Sequence, residues 1–147
     1  MSYGYLVLAL VGGVLIPLQV GINSDLARRI DGSLIAALIS FSVGAASLFI
    51  YSLASRVSWP SGSTVSQLPW WMWTGGMLGA YIVWVSIVVG PRIGGLALLA
   101  LIISGQLGAS IVFDHFGWLG FPVREISLGR VGGVVLLAAG VYLVQKF

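Results

Sequence analysis

The sequence predicts an all-α membrane protein of five transmembrane helices. Three observations lead there. Only 7% of the residues are charged against 59% hydrophobic; the mean hydropathy is +1.06; and the apolar residues fall in runs that match the roughly 20 residues a helix needs to cross the hydrocarbon core of a bilayer. An ordinary soluble domain carries about 25% charged residues, so water is not the main solvent of this chain. Barrel strands would alternate apolar and polar residues over about ten positions, and these runs do not. The 147 residues are therefore read as one transmembrane domain, 1–147, with helices expected near 3–28, 33–55, 70–89, 94–113 and 126–144.

The first helix holds Pro17 in its interior and ends in Gln19, Asn23, Ser24 and Asp25 before Arg28 and Arg29. An internal proline removes a backbone donor and crowds the preceding turn, so a kink that frees carbonyls is expected at Pro17. The second helix carries no charge and mixes Ser40, Ser42, Gly44, Ala45, Ala46 and Ser47 through its centre, small residues that favour close helix packing. Residues 56–69, rich in Ser, Thr, Gly and Pro, read as a polar loop. The third helix opens on Trp70, Trp71 and Trp73, the aromatic belt of a head-group interface. Gly90-Pro91-Arg92 is expected to end it, and so short a connection predicts an antiparallel hairpin with the fourth helix. The fourth closes on Asp114 and His115, and the fifth runs toward Gln145, Lys146 and Phe147.

Composition excludes several function classes. The chain has no cysteine, hence no disulfide, thiolate metal site or thiol nucleophile. One histidine and four carboxylates, set at span edges, assemble neither a hydrolytic triad nor a metal-ligand cluster. An enzyme is not expected, and neither is a metal or cofactor. The net charge of +3 comes from seven scattered cations, without the basic run that binds nucleic acid. No charged region precedes the apolar run that starts at Tyr3, so a cleaved signal peptide is not expected.

Five spans put the termini on opposite sides. Arg28, Arg29, Arg92 and Lys146 then lie on the carboxyl-terminal side, against Arg56, Arg124, Arg130 and the amino-terminal amine on the other. The positive-inside rule needs an excess on one side, and here it is one residue or none. Either Arg28-Arg29 fixes a single orientation, or the chain inserts both ways and pairs as an antiparallel homodimer, an inverted repeat made from two copies.

Polar side chains within spans cost free energy, so they usually mark a cavity or a partner helix. Gln19 and Asn23, four residues apart beside Pro17, point to a substrate site of the broken-helix kind, or to a kink satisfied by neighbouring helices. Gln106, near the centre of the fourth span with Ser104, is either a cavity residue or interhelical glue. Tyr81 and Trp84, at helical spacing, suit an aromatic wall for a solute but serve equally for packing. Asp114 is the candidate for proton coupling, because a desolvated carboxyl is the group such a site needs; a carboxylate in the interface is the plainer alternative.

The stretch from Ala9 to Leu26 resembles the first helix of the short, five-helix YdcZ-type branch of the drug/metabolite transporter superfamily. Pro91-Arg92-Ile93-Gly94-Gly95, Ser104 to Gly108, Phe113 to Gly120 and the ending from Arg130 to Leu143 are similar to the same family. The resemblance covers essentially the whole chain. It implies a multi-pass protein of the bacterial inner membrane, half of a ten-helix inverted-repeat bundle, working as a homodimer or with a paired homologous subunit. Pro17, Gln19, Asn23, Gln106 and Asp114 fall on its pattern positions. The glutamate of the four-helix multidrug relatives has no counterpart in this first helix, where Asp25 stands near the polar end.

The expected function is alternating-access transport of a small-molecule substrate within the lipid bilayer, with Gln19, Asn23, Gln106, Tyr81 and Trp84 at the substrate. A dual-topology, channel-like pore and a non-transporting accessory subunit are the alternatives.

Overall fold

The computed structural model describes residues 3–146, so the amino-terminal amine counted above and the final Phe147 lie outside the described residues. Its helices are α1 (Tyr3–Arg29), α2 (Ser33–Ala54), α3 (Gly62–Ser66), α4 (Gly75–Ile93), α5 (Gly95–Phe116) and α6 (Leu128–Lys146), with 3-10 turns at Trp70–Thr74 and Trp118–Gly120. No strand occurs among the described residues. Four segments, Tyr3–Arg29, Ser33–Ala54, Trp70–Ile93 and Gly95–Phe116, are long and apolar enough to cross a membrane, and α6 supplies a shorter apolar helix. The 19 residues of α6 extend about 28 Å by the helical rise. The chain is an all-α membrane protein with its apolar helices where the sequence places them.

The departures lie at helix ends and have local causes. Where Gly90-Pro91-Arg92 is expected to end the third helix, α4 runs on through Pro91 to Ile93. A proline deprives only the carbonyl four residues back of its donor, which here is that of Ile87. The stop comes at Gly94, whose φ of 84° and ψ of 151° lie in a region open essentially to glycine alone. The tryptophans Trp70, Trp71 and Trp73 form a 3-10 turn ahead of α4. A single helical turn, α3, interrupts the loop at 56–69, and its first turn is capped by Ser61, whose Oγ accepts from the Thr64 amide at 3.2 Å. Similarly, α5 extends past 113 to Phe116, so Asp114 and His115 belong to its last turn. At Pro17 the helix is unbroken: α1 continues on both sides, and the proline leaves the Gly13 carbonyl without its usual intrahelical donor.

The chain divides into two compact units, Met1–Arg92 and Ile93–Phe147. In the first, α1 turns into α2 through Ile30 to Gly32. The Gly32 amide reaches back to the Ala27 carbonyl at 3.0 Å while Asp31 adopts a φ of 51°, a helix end in which the left-handed position usually falls to glycine. Ala36 and Ala37 of α2 are buried with Ile87 of α4, flanked by Leu26 and Ala27 of α1 and Val83 of α4. Alanine on α2 lets the neighbouring helices approach. In the second unit α5 packs on α6, with Leu96, Leu99, Ala100 and Ile103 facing Leu136, Leu137, Gly140 and Val141 across an apolar groove of about 540 Å³.

The buried core is small. Large apolar side chains such as Leu8, Leu48, Met77 and Leu136 are about seven-tenths exposed, far beyond what a water-soluble surface tolerates as contiguous patches. Lipid or another protein chain covers them.

Candidate functional site

Along α1, Gly12, Leu15, Ile16, Gln19, Ile22, Asn23 and Leu26 recur at intervals of three and four, which places them on one helix face. With Ile39, Ser40 and Val43 of α2 they line an open groove of about 630 Å³. Glycine at position 12 leaves open space where a Cβ would stand. The polar side chains of this groove are Gln19, Asn23 and Ser40. Asn23 is buried, 5% exposed, and its Nδ2 donates to Ser40 Oγ at 3.1 Å. That bond ties α1 to α2 and leaves the Asn23 carbonyl oxygen as an acceptor. Gln19, one turn away and exposed, makes no side-chain hydrogen bond among the described residues.

The role of Ser40 is not visible in the sequence, where it reads as one of several small residues that ease packing. The signal that finds it is Asn23, a buried amide that needs a partner across the interface. Interhelical hydrogen bonds in membranes are worth about 0.6 kcal/mol on average. Asn23→Ala and Ser40→Ala should therefore each lower stability in detergent by about that amount, and the double variant should cost little more than either. Additive losses would show that the two side chains act independently.

Tyr81 and Trp84 lie elsewhere in the same unit. With Ala80 of α4 and Leu34, Ala37, Leu38 and Phe41 of α2 they line a second groove of about 330 Å³, and their rings sit 6.2 Å apart at 51°. The two grooves share no lining residue. The candidates of this unit thus separate into an amide pair and an aromatic pair.

In the second unit, Gln106 is exposed and is the twelfth of the 22 residues of α5, at the middle of the span. Ser104 lines the α5–α6 groove, and its hydroxyl donates back to the Ala100 carbonyl at 2.9 Å. Asp114 is ion-paired with Arg130 of α6 through Oδ2 and Nη2. The same arginine donates from Nη1 to the Arg124 carbonyl at 2.9 Å, and the Arg124 amide donates to the Asp114 carbonyl at 2.8 Å. His115 Nδ1 accepts from the Ile126 amide at 3.4 Å. Asp114 and His115 therefore hold the connecting segment against the end of α5. Ser127 caps α6, its Oγ accepting from the Arg130 amide at 3.3 Å.

Arg130 was countable in the sequence only as a loop cation. Its place in the first turn of α6 sets a positive charge at the end of a helix that prefers a negative one, and Asp114 offsets it.

Residues 4–143 match the family described as "Putative inner membrane exporter, YdcZ". The chain is 32% identical over 114 residues to "Inner membrane protein YdcZ" of Escherichia coli (strain K12), which covers 77% of this chain and 75% of that protein. No solved structure matches it significantly.

Proposed function

The chain belongs to the YdcZ family of inner membrane proteins, and from that premise we propose that it moves a small organic solute across the membrane by alternating access, as an antiparallel pair of copies. It is a multi-pass protein of the inner membrane, and its family makes transport its business. The observation that carries the site assignment is the α1–α2 groove, where the Gln19 amide is unspent beside the Asn23–Ser40 bond. A free amide at membrane depth is costly unless something pairs with it, and a solute is the partner this reading supplies. Differential affinity for the solute between inward and outward states is then sufficient to shift their populations. Tyr81 and Trp84 line the separate groove and are left out of this solute site. Asp114, held by Arg130, is assigned to closing the α5–α6 corner rather than to coupling.

Two features support the antiparallel pair. The loop cations balance between the two sides. Gln106, exposed at the centre of α5, occupies the depth that a chain keeps when it is turned over in the membrane. Two oppositely inserted copies can therefore bring their Gln106 side chains to the same level, where each amide satisfies the other.

The chain has no cysteine, so engineered thiols report without background. Gln106→Cys should form a disulfide-linked dimer in membranes, whereas Leu101→Cys alone should not, since inverted copies carry the two Leu101 positions to different depths. Cross-linking of Leu101→Cys to itself would indicate a parallel pair and end this reading of the assembly.

A further inference from the structure

Resting on the assignment of the α1–α2 groove as the solute site, we infer that the solute is uncharged: a mainly apolar body carrying one neutral hydrogen-bonding group, such as an amide or an alcohol. The groove is lined by Gln19, Asn23 and Ser40 among glycine, leucine, isoleucine and valine, with no ionisable side chain. From Ser33 to Ala54, α2 carries no charge at all. The nearest carboxylate on α1 is Asp25, and both of its oxygens are engaged, Oδ1 by Arg28 at 2.9 Å and Oδ2 by Arg29 at 2.8 Å.

An ion leaving water for such a groove loses several kcal/mol of hydration and meets no counter-charge there. Nor does an aromatic face compensate a cation, since Tyr81 and Trp84 line the other groove. What the groove does offer is the donor and acceptor of the Gln19 amide, with the Asn23 carbonyl oxygen as a further acceptor. That pattern complements a neutral group able to give and receive one hydrogen bond. The volume of about 630 Å³ falls within the 300–1,000 Å³ or so typical of small-molecule sites.

The test uses single-cysteine reporters, Ile39→Cys in the α1–α2 groove and Leu38→Cys in the aromatic groove, in the purified full chain reconstituted in vesicles. Thiol labelling is timed with three analogues on one apolar skeleton: a carboxamide, a quaternary ammonium and a carboxylate. The carboxamide should slow labelling of Ile39→Cys by about tenfold at ten times its dissociation constant, as single-site occupancy dictates, and the two ions should leave it unchanged. Adding Gln19→Glu to this reporter should pass protection to the ammonium.

Protection of Ile39→Cys by either ion without Gln19→Glu would overturn the assignment of charge while keeping the site. Protection of Leu38→Cys by the ammonium alone, with nothing protecting Ile39→Cys, would overturn the site and the inference together.

Discussion

Replacing Gln19 by leucine is expected to lower transport by roughly 5- to 150-fold, the effect of about 1–3 kcal/mol when a buried hydrogen-bonding group of a bound solute loses its partner. The fold should not suffer. Gln19 makes no side-chain hydrogen bond among the described residues, and leucine is at ease in a hydrocarbon-facing groove. Solute flux in vesicles and thermal melting in detergent separate the two effects. Unchanged flux in Gln19→Leu would remove the groove from the transport pathway, and a matching fall in melting temperature would mean that the amide serves packing after all.

Asp114 carries the second large effect. Its side chain is 18% exposed and that of Arg130 31%, so the pair is partly screened. Asp114→Asn should cost about 1.5–3 kcal/mol, the range for hydrogen bonds to charged groups, and Arg130→Gln should cost a similar amount without adding to it. The exchanged variant Asp114→Arg with Arg130→Asp should recover part of the loss. A coupling role makes a different prediction: Asp114→Asn would then melt like the unaltered chain and sustain solute exchange, yet fail to accumulate solute against a gradient. Melting curves together with exchange and accumulation assays decide between the two.

The span count and rough limits were legible because lipid leaves a chain few choices. Each apolar run must satisfy its own backbone, and a helix is how it does so. Helix ends were harder to read. Pro91 looks like a terminator by its chemistry, but half a turn of α4 survives the single missing donor, and the conformation of Gly94, which no composition rule reveals, makes the stop. Gln19 and Asn23 were visible as amides in an apolar helix, and their four-residue spacing already put them on one face. The partner across the interface was not visible. Ser40 pairs with Asn23 and Arg130 with Asp114 at separations that no helical period connects, and such pairs are set by how helices meet. Tyr81 and Trp84 stand at helical spacing in the sequence, and their rings lie 6.2 Å apart; that they line a different groove from the amides depends on how α2 and α4 meet.

Asp114 and Arg130 stand 16 residues apart, and a chain is made from its amino terminus. The carboxylate therefore leaves the ribosome before its counter-charge does. For that interval the end of α5 holds a carboxylate without the arginine that offsets it in the finished chain. Once Arg130 emerges, the corner closes and the last two helices settle as a pair. The α1–α2 turn makes no such demand, since the contacts that shape it are complete by Gly32. A nascent chain stalled between the two charged residues thus displays a mark of incompleteness that the finished protein does not.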